Sequence, residues 1–187
     1  MVARGSPAVP EDELEAFVRP WYAPKDEMHG VAHVRRIHKE ARALAQSYPD
    51  ADRSVILGGA YLHGIVFEAA DQARAFFRDQ GLAHATVEAI IVAARESLKE
   101  RDGGDAETLE GKILHDAHLL EGGKAFWLVK SLVVGALRRM SLDETVRYME
   151  THHVPGRFRC YLPEAQARYA EKEAFVWDAL ADLRAHL

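Results

Sequence analysis

The sequence predicts an all-α fold, and two observations carry that prediction. Apolar residues recur at the three- and four-residue spacing of a helix almost everywhere, and no stretch sustains the apolar–polar alternation of a half-buried strand. Polar and glycine-containing breaks separate these stretches, and the clearest of them lies at 101–105. The chain has 187 residues, 48% of them hydrophobic. We therefore expect a single domain over 1–187, built from about eight or nine helices.

Local signals place the first five helices. The first is predicted to begin at Pro10, because proline suits a first helical turn and three acidic residues follow it. It should end between Pro20 and Pro24. Apolar stripes, together with the breaks at Pro49 and Gly81, predict the next four helices at 31–48, 51–65, 69–80 and 84–99.

The C-terminal part continues in the same way. Helices are predicted at 107–121 and 124–140, and a further helix should start where Ser141 and Glu144 have the spacing of a capping box. A long last helix runs from Pro163 to the C-terminus. We expect residues 29–121 to form the core of the domain and the helices of 123–187 to pack on it. The apolar segment 126–137 can pack in this core or in a homodimer, and the sequence leaves both open.

Composition excludes several classes of protein. The 24 Lys and Arg residues against 29 Asp and Glu give a net charge of −5, which argues against a partner that is a nucleic-acid polymer. The single cysteine, Cys160, excludes an internal disulfide. No apolar stretch approaches the roughly 20 residues that cross a bilayer. Residues 1–10 lack the apolar run of a secretory signal, so a cytoplasmic protein with no membrane contact is expected.

A few of the ten histidines occupy positions that point to metal chemistry. His29 and His33 are four residues apart, so they share a face if a helix includes both. His63 lies inside an apolar segment and Asp116 lies in another, where a lone imidazole or carboxylate is costly to bury. Imidazoles and a carboxylate from separate helices suit a first-row transition metal. Alternatively, each polar group has its own hydrogen-bond partner, with His63 bonded to a backbone carbonyl. His84 is expected to be structural or at the surface.

Three segments that occur in order carry a family resemblance. They are His33-Val34-Arg35-Arg36-Ile37, Ala60-Tyr61-Leu62-His63-Gly64-Ile65 and Gly111-Lys112-Ile113-Leu114-His115-Asp116-Ala117. Together they resemble the HD-domain superfamily of metal-dependent phosphohydrolases, over residues 29–121. The segment Tyr161-Leu162-Pro163-Glu164-Ala165, which enters the last helix, is similar to small bacterial members of that superfamily.

The resemblance implies a site and an activity. Its metal ligands would be His33, His63 and Asp116, holding one divalent transition metal (Mn, Fe, Co, Ni or Zn). Asp116 would also act in catalysis by orienting the attacking water. The substrate would be a small phosphate ester or nucleotide, with Arg36 and Lys112 as candidate phosphate contacts. Accessory ligands could come from three further side chains: His29, His118 and Glu68.

The sequence departs from the family at its signature. The expected His-Asp pair is His63-Gly64, and the Asp-Ala-Asp that is common in relatives is Asp116-Ala117-His118. A histidine of the preceding helix is replaced near Arg95. The loss of a bridging carboxylate disfavours a two-metal centre but leaves a three-ligand site with open positions. Three functions therefore stay open: a phosphohydrolase, a non-catalytic metal- or nucleotide-binding protein, and an HD-type iron oxygenase.

Overall fold

The all-α prediction is confirmed. A computed structural model describes residues 9–98, 104–152 and 155–187, and over these ranges the chain is helical with no β-strand. The described helices are α1 (Glu11–Tyr22), α2 (Val31–Leu44), α3 (Arg53–Leu62), α4 (Val66–Asp79), α5 (His84–Glu96), α6 (Leu109–Leu120), α7 (Phe126–Leu137), α8 (Leu142–His152) and α9 (Pro163–His186), with a short 3-10 turn at Ala45–Ser47. Part of the predicted loop 101–105, residues 101–103, lies outside the described residues.

Several predicted helices have ends that differ from those in the structure. The segment predicted as 51–65 ends as a helix at Leu62, and α4 begins at Val66, three residues before its predicted start. The cause is a turn at His63 and Gly64, which takes the chain out of the helical conformation. The segment predicted as 31–48 is α-helical only to Leu44 and then tightens into the 3-10 turn.

The described residues up to His118 form one compact unit, and those from Leu119 onward form another. In the first unit, α3 packs against α1, α2 and α5, while α4 packs on α5. Its fully buried apolar side chains come from all of these helices and from α6: Leu14, Ile37, Ile56, Phe77, Ile90 and Leu114. Helix α3 therefore lies among three others, and His63 follows its last residue.

The start of α6 is held by a side chain from the end of α5. The buried carboxylate of Glu96 accepts hydrogen bonds from the backbone N–H groups of Glu107 (3.0 Å) and Thr108 (3.1 Å), and from the Thr108 hydroxyl. Glu107 and Thr108 immediately precede α6, so these bonds hold the chain at the point where the helix begins. Glu96 thus fixes the position of the helix that carries His115, Asp116 and His118.

The second unit has its own apolar cluster, formed by Val146, Met149, Val176 and Leu180 with half-buried aromatic and aliphatic side chains around them. The predicted capping box is confirmed: the backbone N–H of Ser141 donates to Glu144 Oε2 (2.7 Å), and that of Glu144 donates to Ser141 Oγ (3.2 Å). The homodimer and the packing of 123–187 on a core of 29–121 stay predictions. No helix in the described part of the chain has the length and apolar character needed to span a membrane.

Candidate metal centre

Three histidines from distant parts of the sequence meet in the first unit. His33 lies on α2, His63 follows α3 and His118 lies on α6, and one nitrogen from each ring lies within 4.8 Å of the others. The ring centroids are 5.4 Å apart for His33 and His63, 5.5 Å for His33 and His118, and 4.4 Å for His63 and His118. This group, called the three-histidine cluster below, could hold a metal ion.

The donor set and its spacing fit a transition metal. Around a tetrahedral zinc with Zn–N bonds of about 2.0–2.1 Å, two imidazole nitrogens lie about 3.4 Å apart. The nitrogens of the cluster therefore need to approach each other by little more than about 1 Å, which is within the range of side-chain rotation. His33 and His63 are only 5% and 2% exposed and His118 is partly buried, so the centre is largely shielded from solvent.

A hydrogen-bond chain determines which nitrogen of His63 is available. The Ser97 hydroxyl donates to the carbonyl oxygen of Ala94 (2.7 Å), and its oxygen lies 2.8 Å from His63 Nδ1. Since the hydroxyl proton is directed to the carbonyl, Nδ1–H must be the donor to Ser97 Oγ. Nε2 is then the ring nitrogen that carries no proton, as in metal sites where a second partner fixes the tautomer. His63 Nδ1 is thus bonded to a hydroxyl. The alternative considered from sequence was a bond to a backbone carbonyl.

The backbone around His63 is also held in place. The Tyr22 hydroxyl donates to the carbonyl oxygen of His63 and lies 3.2 Å from that of Tyr61. Burial, together with the nearby carboxylate of Glu68, raises the pKa of Tyr22 far above its usual value, so the phenol keeps the proton that it donates. Lys25 Nζ donates to the carbonyl oxygen of Gly64 (2.8 Å) and lies over the Tyr22 ring.

Gly64, which stands where the family resemblance would place an aspartate, has a conformational role here. His63 has φ −55° and ψ 123°, Gly64 has φ +79°, and the N–H of Ile65 donates to the carbonyl oxygen of Leu62 (3.0 Å). This is the pattern of a type II turn, whose third residue needs a positive φ and is usually glycine. The turn ends α3 at Leu62 and directs the His63 side chain to the cluster.

Asp116 is the carboxylate that the resemblance implies as a metal ligand. It is fully buried, and its Oδ1 lies 2.9 Å from Nδ1 of the neighbouring His115. Among the described residues, the group that could hold a metal contains His118 and not Asp116. Residues two apart on a helix do not face the same side, so α6 presents His118 to the cluster. The ligand and catalytic roles of Asp116 stay predictions. His118, which the sequence offers as an accessory ligand, is one of the three histidines of the cluster.

The other predicted site residues differ in their exposure. His29 precedes α2, its Nδ1 lies 2.8 Å from a carboxylate oxygen of Asp26, and its ring centroid is 6.0 Å from that of His33. Glu68 is exposed in the first turn of α4. Arg36 on α2 and Lys112 on α6 are both partly buried, and their phosphate-binding role stays a prediction.

Sequence reasoning missed Ser97, Tyr22 and Lys25. Ser97 lies 34 residues from His63, and the two contacts to the turn backbone span 41 and 39 residues. No periodicity or local motif links residues so far apart in sequence. Only the tertiary fold brings them together.

No protein-family model matches the sequence, and neither does any curated protein. The structure, in contrast, is similar to several solved bacterial proteins over nearly their whole lengths. YpgQ of Bacillus subtilis, solved in complex with ADP, has a TM-score of 0.76 at 13% identity and covers 95% of this chain and 98% of its own. Lin1889 of Listeria innocua has a TM-score of 0.71 at 17% identity, over 94% and 96% of the two chains.

A third solved protein, from Lactobacillus plantarum, has a TM-score of 0.72 at 17% identity over 94% of this chain and 95% of its own. At these identities the likeness concerns the fold. The chain therefore shares an all-helical fold with these three bacterial proteins.

Proposed function

We propose that the protein is a metal-dependent phosphohydrolase acting on a small phosphate ester or nucleotide. The observation that carries the proposal is the three-histidine cluster, in which Ser97 accepts a hydrogen bond from His63 Nδ1 and so places the ring proton on that nitrogen. Its position also matches the sequence resemblance, which assigns metal binding to His33 and His63 independently. YpgQ, which has the same fold, was solved with ADP, and this supports a nucleotide as the substrate class.

The chain would contribute binding and orientation to the reaction. When bound, a divalent metal polarises a phosphoryl oxygen and acidifies a water molecule. His33, His63 and His118 would hold it and leave a coordination position open. In the hydrolysis, the oxygen of water forms a bond to phosphorus, the bond from phosphorus to the ester oxygen breaks, and the leaving oxygen gains a proton. Arg36 and Lys112 are the cations proposed to neutralise the phosphate charge.

One observation favours a second candidate, a non-catalytic binding protein. The cluster contains imidazoles only, and the carboxylate of Asp116 is bonded to His115. A site without a carboxylate ligand lacks a group beside the metal that could accept the proton of the attacking water. Such a site could bind a metal and a nucleotide without turning the nucleotide over.

Phosphate release from metal-loaded protein distinguishes the two candidates. Metal-free protein would be loaded with one metal at a time (Zn, Co, Ni, Fe or Mn) and incubated with para-nitrophenyl phosphate and with nucleoside mono- and diphosphates. We expect phosphate release that requires metal, disappears in His63→Ala and persists in His84→Ala, whose position is exposed on α5. If metal-loaded protein binds a nucleotide but releases no phosphate from any of these compounds, the hydrolase proposal is wrong and the binding protein replaces it.

A further inference from the structure

We propose that the cluster selects a metal of the zinc and nickel class over manganese and magnesium, because its third ligand is the imidazole of His118. This inference names the cofactor class of the proposed hydrolase site, and it rests on that site binding a metal. The ligand set carries the argument: three ring nitrogens lie within 4.8 Å of one another, and each comes from a histidine.

The nature of the donor atoms decides which metals fit. Imidazole nitrogen suits zinc, copper, iron and nickel, whereas carboxylate, carbonyl and water oxygens suit magnesium and manganese. Among the described residues, no carboxylate belongs to the group that could hold the metal. Asp116 Oδ1 is 2.9 Å from His115 Nδ1, and Asp26 holds His29 at 2.8 Å. The cluster therefore offers nitrogen where a manganese or magnesium site needs oxygen.

The number of ligands points to the same metals. Three protein nitrogens and one open position make the four-coordinate arrangement of catalytic zinc sites. Magnesium requires six oxygen ligands in a near-ideal octahedron and is held in proteins mainly through carboxylates and phosphates. The three nitrogens of the cluster supply the ligand number of a zinc site and none of the oxygen ligands of a magnesium site.

The ligands also determine the net charge that the metal centre presents to a substrate. Imidazoles bind a metal in their neutral form, so three of them leave the full double positive charge on a divalent ion. A carboxylate at the position of His118 would cancel one of those charges. The all-imidazole centre should therefore attract a phosphate dianion more strongly than a centre with a carboxylate ligand.

The test replaces the nitrogen donor by an oxygen donor and measures metal preference without any assay of activity. Metal-free wild type, His118→Glu and His84→Glu would be titrated with Zn²⁺ and with Mn²⁺ in competition with a chromophoric chelator. His84→Glu adds the same charge at an exposed position of α5. We expect His118→Glu to lower the ratio of zinc affinity to manganese affinity by about tenfold or more, and His84→Glu to leave it unchanged.

His33→Glu makes the same exchange on a different helix and should also lower the ratio of zinc affinity to manganese affinity. This second variant tests the inference if His118→Glu does not fold. Metal binding with the same zinc-to-manganese ratio in wild type and in the folded glutamate variants would overturn this inference and leave the hydrolase proposal standing. Wild-type protein that binds neither metal would overturn the proposed metal site itself.

Discussion

Replacing Gly111 by alanine is expected to lower the free energy of unfolding by about 2–4 kcal/mol. A Cβ atom at this position would overlap Glu96 Oε2 and would come within 2.7 Å of Glu96 Cβ and 2.8 Å of Thr108 Oγ1. Glu96 is buried and its carboxylate accepts three hydrogen bonds from the start of α6. The new methyl group must therefore displace a buried charge from its donors or shift the helix.

Urea denaturation followed by circular dichroism measures this effect, with Gly30→Ala as the matched control. Gly30 precedes α2 with a negative φ, and a Cβ atom there meets only the carbonyl oxygen of Asp26, at 3.6 Å. The control should lose no more than about 1 kcal/mol, the usual range for a change at a helix N-cap. Equal stability of Gly111→Ala and wild type would show that Glu96 does not hold the start of α6 as described.

The Ser97→Ala variant is expected to bind metal about 10- to 100-fold more weakly than wild type, the usual cost of losing the partner that orients a metal-binding histidine. Ser97 is fully buried, and its hydroxyl accepts from His63 Nδ1 while it donates to Ala94. Without the hydroxyl, the proton of His63 is no longer fixed on Nδ1. Both the ring orientation and the population of the coordinating tautomer then change.

Metal affinity from chelator competition gives the magnitude, and nitrogen NMR of the metal-free protein gives the cause. In wild type the His63 signals should be those of a neutral ring with the proton on Nδ1, and in Ser97→Ala the two tautomers should mix. Ser54→Ala, a serine-to-alanine change in the first turn of α3, should leave both measurements unchanged. A wild-type His63 with its proton on Nε2 would contradict the assigned role of Ser97.

Most of the fold could be predicted from sequence because helices are local. The ends predicted from the apolar spacing agree with those of every described helix to within a few residues. The spacing of Ser141 and Glu144 also predicted a helix cap, and both of its hydrogen bonds are present. The predicted end of α3 was wrong because the turn at His63 and Gly64 lies inside a continuous apolar segment. Its hydrogen bond and the positive φ of Gly64 leave no mark in hydrophobic periodicity.

The candidate site could be predicted only in part. His63 was singled out because a lone imidazole in an apolar segment needs a partner, and His33 because of its spacing from His29 and the family resemblance. The structure brings the two rings together. The membership of His118 in the cluster depends on which face of α6 is turned to His33 and His63. The position of α6 depends in turn on Glu96, through a contact between two helices. Ser97 was missed for the same reason. Local patterns identify residue types, whereas the tertiary packing selects the ones that meet.

The metal content of the purified, untagged protein tests the central claim most directly. Elemental mass spectrometry would be applied to wild type, His63→Ala and His84→Ala, each as isolated and after loading with Zn²⁺ followed by removal of excess metal. The three-histidine cluster predicts about one equivalent of a transition metal in wild type and in His84→Ala, and almost none in His63→Ala. Equal metal content in all three proteins, or no metal in wild type after loading, would contradict it.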